Sequence, residues 1–293
     1  METERGHDRK FLVCLFEFLG QIFFMYAATV SGASGSDTWG IAGPLALFAI
    51  INIFGSVSGG HFNPAVTLGV FVREARWVEN FIFCILIIAS QISGALVGML
   101  LSYVVLRVQE NGEWVLKPEQ VPLMVPSTIT REMIKNANDG TGSIDYGEYW
   151  TTFYMEVICT FIFVLFILHV TGKRTMGPDL GVYGVPAICL VLWALCNVDS
   201  FTGASFNPAL ATAQFVMQVA WYPYNPEGVL THYMWQYIVG AALGGVLAGV
   251  FYHQHEKLFA GHCEEVYHDE DSHHNKSSHK MHDHEAEMHG KGQ

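Results

Sequence analysis

Two copies of one short phrase constrain this chain more than anything else in it. Ser58-Gly59-Gly60-His61-Phe62-Asn63-Pro64-Ala65 returns as Thr202-Gly203-Ala204-Ser205-Phe206-Asn207-Pro208-Ala209, 144 residues later. Asn is a strong helix N-cap and Pro is pre-organised for the first helical position, so each copy reads as a Gly-rich loop that starts a helix at Asn. Both copies lie inside apolar sequence long enough to span a bilayer. That setting argues against two ordinary capped helices in soluble loops. Irregular backbone at membrane depth is tolerated only where it lines a cavity or is buried in protein. The pair therefore reads as two re-entrant loops carrying half-helices, with a pore between them.

The rest of the chain can be placed around that pair. Apolar length predicts six spans, near 11–30, 40–57, 80–106, 150–171, 182–199 and 231–253, with short half-helices over 63–72 and 207–220. The predicted fold is thus an all-α membrane protein: six transmembrane helices and two re-entrant half-helices in an inverted repeat. A leader that is cut away is not expected, because the run after Lys10 is too long for a signal core. The expected organisation is an N-terminal segment 1–10, a channel unit 11–253 and a tail 254–293. Within the channel, repeat one covers 11–107, a long outside loop 108–149 and repeat two 150–253. Each repeat has three crossings, an odd number, so the second must lie inverted relative to the first.

Other features echo across the two halves. Glu17 in the first span matches Glu156 in the fourth, and Gln91 with Gly94 and Gly98 resembles Gln236 with Gly240 and Gly244. A carboxylate within a span is expensive and needs a partner. Glu17 and Glu156 are assigned to the unpaired N–H groups of the two loops, with a proton relay as the alternative role. The small residues of spans three and six suit close helix packing. Five cysteines lie in apolar segments, where they serve as packing residues rather than disulfide partners.

Orientation follows from the short loops. Arg5, Arg9, Lys10, Arg73, Arg76, Lys173 and Arg174 all fall on one side of this topology, while 31–39 and 221–230 carry no Lys or Arg. Both termini are therefore expected in the cytoplasm, in a plasma membrane or an internal vacuolar or vesicular membrane. The 107–149 loop is long, polar and rich in Pro, suited to folding over the outer mouth. The tail has no hydrophobic period and reads as disordered and cytoplasmic. Its His273, His274, His279, His282 and His284 are a weak candidate for a metal ion, against a plain solubilising role.

The chemistry of the phrase points to permeation. Asn63 and Asn207 can cap their helices with the side-chain oxygen and aim the amide NH2 at the lumen, as two midplane donors. Loop carbonyls at Gly59, Gly60 and His61, and at Gly203, Ala204 and Ser205, offer acceptors. Both half-helices point positive ends at the same spot, which disfavours a cation and leaves neutral water unopposed. A passive pore for small uncharged molecules follows. No nucleophile–base pair is visible, so an enzyme is not expected; nor is a cofactor or a nucleic-acid partner. An ion channel is disfavoured because no ring of charged residues runs along the spans.

This arrangement resembles the aquaporin, or major intrinsic protein, family over residues 11–253. The paired phrases, the Ser-Gly-Gly-His run of Ser58–His61 and the carboxylates Glu17 and Glu156 carry the resemblance. It implies a homotetramer in the bilayer with one pore per subunit, and Asn63, Pro64, Ala65, Asn207, Pro208 and Ala209 at the midplane. One departure stands out. Family members usually place Arg after the second phrase as part of an outer selectivity filter, and here that residue is Leu210. Counting from the two Asn residues puts Gly43, Leu195 (or Ala194) and Ala204 at the other filter positions. Without an aromatic or a charge there, the outer level is expected to be wide and apolar. A membrane scaffold or junction protein that kept the fold and lost conduction is the competing reading.

Overall fold

The computed structural model describes residues 2–33, 39–147, 149–172 and 183–258. The chain divides after Tyr252 into a first unit, Met1–Tyr252, and a second, His253–Gln293. Helices dominate the first. They are α1 (Glu2–Ala33), α2 (Trp39–Ser58), α3 (Pro64–Glu74), α4 (Trp77–Leu106), α5 (Arg131–Asn138), α6 (Tyr149–Thr171), α7 (Gly184–Val198), α8 (Pro208–Trp221), the single turn α9 (Val229–His232) and α10 (234–258). Among the described residues, five segments are long and apolar enough to cross a bilayer: Arg9–Ala33, Gly40–Ser58, Trp77–Leu106, Tyr149–Thr171 and Pro226–Leu258. The fifth expected span appears as α7, of 15 residues, and residue 182 at its expected start lies outside the described residues. Large apolar side chains such as Ile53, Ile82, Leu190 and Val198 are exposed on these helices. That is the surface of a chain solvated by lipid rather than water. This is a multi-pass membrane protein.

The half-helices α3 and α8 do not cross. Each begins where Pro follows a capping Asn in extended conformation. α3 stops at Ala75, whose left-handed φ of 54° turns the chain straight into α4.

Glycines set the distances between helices. A methyl group on Gly94 would overlap the Phe18 carbonyl of α1, and one on Gly98 the Ile22 carbonyl. In the second half, Gly244 sits against the Val157 carbonyl of α6, one residue after Glu156 just as Phe18 follows Glu17. The structural counterpart of Gly94 is therefore Gly244 and not Gly240, so the sequence echo of Gln91 with Gln236 is out of register by five residues. Gln91 donates to Glu17 of α1 and Thr67 of α3, whereas the buried Gln236 amide has no hydrogen-bond partner among the described residues. Gly245 and Gly249 of α10 lie on the Ala65 and Gly69 carbonyls of α3, which seats the first half-helix against a full span.

The long outside loop is structured. Val108–Glu110 (β1) pairs antiparallel with Glu113–Val115 (β2) through a turn at Asn111 and Gly112, both at positive φ. Beyond it the chain packs down onto α8. Gln214 donates to the Pro122 carbonyl, Gln218 accepts from the Met124 N–H at 2.7 Å, and the Ser127 N–H donates to the Phe201 carbonyl at 2.8 Å. Thr130 caps α5, and Arg131 binds the Pro118 and Val121 carbonyls while facing the Tyr222 ring. Val121, Met124, Val125, Ile129 and Ile134 are buried as a result.

Candidate pore and its supporting carboxylates

Each helix-starting Asn divides its side chain between two tasks. The Asn63 oxygen accepts from the Ala65 N–H at 2.8 Å; the Asn207 oxygen accepts from Ala209 at 3.0 Å and Leu210 at 3.3 Å. Its nitrogen reaches across to the other loop. Asn63 Nδ2 donates to the Phe206 carbonyl at 2.8 Å and Asn207 Nδ2 to the Phe62 carbonyl at 2.9 Å. The two exchanges are reciprocal, so the loops meet head to head as equivalent halves. Each amide has two hydrogens and uses one here, which leaves one per Asn where the sequence suggested a free NH2.

The loops that present these residues turn through left-handed backbone, which costs little at glycine and strains the other residues. Gly59, Gly60 and Gly203 take φ of 95°, 71° and 89°, and Ala204, Phe62 and Phe206 take 58°, 43° and 48°. Such conformations persist only where surroundings over-determine them. Glu17 does this for the first loop, accepting from His61 N–H at 3.0 Å, Phe62 N–H at 2.6 Å and Gln91 Nε2 at 2.8 Å. Glu156 accepts from Ser205 N–H at 3.1 Å and Phe206 N–H at 3.0 Å in the second. Phe62 is fully buried and its ring occupies the space where a side chain on Gly20 would lie. His61 Nδ1 lies 3.2 Å from Thr67 Oγ1, and Thr67 also receives Gln91 Nε2, so a polar chain runs from loop to half-helix.

A cavity of about 750 Å³ leads to this point from one face. Its lining includes Arg9, Arg73, Glu74, Asn80 and Thr171 at one end, and Asn63, Asn207, Ser205 and Phe206 at the other. Gly59, Gly60 and His61 also line it, with Phe24, Leu47, Ile188 and Leu192 as apolar wall. The four outer positions do not belong to this lining. Leu195, Ala204 and Leu210 are only 7%, 9% and 7% exposed. Gly43 is half-buried, and a methyl group on it would meet only the Phe24 ring, at 4.0 Å.

Sequence reasoning missed three participants. Thr202 and Asp199 are buried beside Glu156, and the Tyr237 hydroxyl donates to the Thr202 carbonyl at 2.7 Å. An acid closing the apolar 182–199 run was the available signal. Cys84 of α4 was read as packing and does line the cavity. A membrane-impermeant thiol reagent applied to that face is expected to cut permeation about twofold by narrowing the route. Cys84→Ser should remove the effect, and block that survives the substitution would place the reactive thiol elsewhere. Among the described residues, no group of three or more His, Cys, Asp and Glu could hold a metal ion. His273, His274, His279, His282 and His284 lie outside the described residues, as do Lys173 and Arg174.

Two half-helices whose starts are hydrogen-bonded to each other's loops beside a cavity, in a bundle with an apolar surface, define the class of protein: a helical membrane channel fold with paired re-entrant loops. Residues 9–252 match the Major intrinsic protein family. The chain belongs to that family. Curated relatives include Aquaporin TIP1-1 of Zea mays, 27% identical over 85% of this chain and 87% of its own length. Glycerol uptake facilitator protein-like 6 of Lactiplantibacillus plantarum is 28% identical over 82% and 94%, respectively. Aquaporin-8 of Mus musculus is 28% identical over 81% and 79%. Among solved structures, the aquaglyceroporin from Plasmodium falciparum shares the fold with a TM-score of 0.59 at 20% identity, covering 83% of this chain and 96% of that one.

Proposed function

We propose that residues 11–253 form a passive pore for water and small neutral solutes. The observation that carries this reading is the pair of cross-linked amides, Asn63 and Asn207, at the inner end of the cavity. One free N–H on each would hold a passing oxygen at the midplane while the two helix N-termini repel cations. Pro64, Ala65, Pro208 and Ala209 keep those donors at the helix starts, and the loop residues Gly59–His61 and Gly203–Ser205 supply acceptors along the approach. Relatives named as aquaporins and as a glycerol uptake facilitator support the same class of cargo.

The face bearing Arg9 and Arg73 is cytoplasmic in this reading, and with it both termini. A homotetramer, with the 254–293 tail as a separate module, completes the proposed organisation, in a plasma membrane or a vacuolar or vesicular one.

Osmotic swelling of proteoliposomes tests the proposal. Vesicles with the protein are expected to respond to an osmotic step faster than protein-free ones, and reversibly. The buried, uncharged side chains of Leu195, Ala204 and Leu210 favour the second reading, a scaffold with little conduction. Equal rates with and without the protein would establish the scaffold and end the channel reading.

A further inference from the structure

The second loop contains a buried carboxylate that the first lacks. Asp199 ends α7, is fully buried, and lies eight residues before Asn207; the equivalent position before Asn63 is Gly55. Its Oδ1 accepts from the Thr202 N–H at 3.1 Å, and its Oδ2 lies 2.7 Å from Thr202 Oγ1. The same hydroxyl lies 3.0 Å from Glu156 Oε1 and accepts from the Ala204 N–H at 3.1 Å.

A hydroxyl has one hydrogen and two acceptor sites. With the Ala204 N–H already donated to it, Thr202 Oγ1 can serve two carboxyl oxygens in only one way. It donates its hydrogen to one of them and accepts a hydrogen from the other. If both carboxyls were ionised, one oxygen–oxygen contact would hold no proton between two lone pairs. Glu156 is the better anion, because both of its oxygens already accept backbone N–H bonds, from Ser205 and Phe206. Among the described residues, no backbone N–H donates to Asp199 Oδ2.

We propose that the second re-entrant loop is built around one bound proton, held on Asp199 Oδ2 and shared through Thr202 with an ionised Glu156. The chain of bonds then runs in one direction, from Asp199 O–H to Thr202 Oγ1 and from Thr202 O–H to Glu156 Oε1. Every member is satisfied and the cluster carries a single negative charge. The titratable groups around it are Cys159 on α6, Cys196 on α7, and Tyr233 and Tyr237 from the chain at the start of α10. Among the described residues, no cation is recorded against either carboxyl. A second negative charge in this cluster would have no partner. The proton also fixes the loop, because Thr202 is bonded through its N–H, its carbonyl and its hydroxyl at once. Glu17 needs no such device. Three donors converge on it, and among the described residues no second carboxyl shares a hydrogen-bond partner with it.

Infrared spectroscopy of the full-length protein in lipid vesicles reads this proton directly. Ordinary aqueous carboxyls are ionised at pH 7 and give no protonated C=O stretch. The wild type is expected to show such a band at pH 7, insensitive to exchange of the outer buffer. Asp199→Asn should lose it while the protein still assembles and melts within a few degrees of wild type, since the amide donates to Thr202 as the acid did. Thr202→Val should keep the band but move it to higher wavenumber, as the acid loses its acceptor. Absence of the band from wild type, or its survival unchanged in Asp199→Asn, overturns the proposal. Should Asp199→Asn fail to assemble, an unshifted band in Thr202→Val overturns it equally. None of these readouts requires the protein to conduct.

Discussion

Glu17→Leu is expected to prevent assembly of the protein. Leucine fits an apolar span and should leave insertion intact. What it removes is the acceptor for three donors, the His61 and Phe62 N–H groups and Gln91 Nε2. Each buried donor left unpaired costs about 1–3 kcal/mol, so the sum is on the order of 3–9 kcal/mol. Typical domains are stable by only about 5–15 kcal/mol. The strained φ of Phe62 is also released, because nothing else described grips its N–H. Size-exclusion profiles and thermal melting in detergent would measure the loss, with Glu17→Gln as an intermediate case that keeps one acceptor. A Leu variant that elutes and melts like wild type would show that the loop has other support.

The second large effect concerns Leu210. Like Leu195 and Ala204, it is apolar and buried at a position counted to the outer filter. A file of water entering such a level gives up hydrogen bonds and tends to dewet. Leu210→Arg supplies donors there and is expected to raise water permeability several-fold, with glycerol and urea still excluded because the passage does not widen. Stopped-flow light scattering on vesicles separates the two quantities. If Arg instead slows glycerol or urea more than water, the native level is open in the membrane and the packing described above does not persist there.

What could be read from the residues followed from how local each signal was. The starts of α3 and α8 are set by a capping Asn and a following Pro, both adjacent in sequence, so they were legible without any tertiary knowledge. A carboxylate within an apolar span requires donors somewhere, and the donors of Glu17 and Glu156 are N–H groups of the loops. The six spans are a matter of apolar length. The packed outer loop was not legible beyond its length, because its buried residues, from Val121 to Ile134, follow no helical or strand period. Its anchors, Gln214 and Gln218, look like ordinary polar positions on a half-helix. The register of the glycines misled for a similar reason. Gly240, Gly244 and Gly245 are alike in sequence, and only the carbonyl each one touches tells them apart.

The reciprocal bonds between the two loops also set an order of events during biosynthesis. Asn63 Nδ2 finds its acceptor on Phe206, 143 residues further along the chain. At about 5–20 residues per second, a ribosome needs roughly 7–30 s to deliver it. Throughout that interval the first loop sits in or at the membrane with its own Glu17 in place and its counterpart missing. The Gly245 and Gly249 surface that seats α3 arrives later still. The first half must therefore wait as a partly organised intermediate, and the centre of the molecule closes only when the last helix has been made.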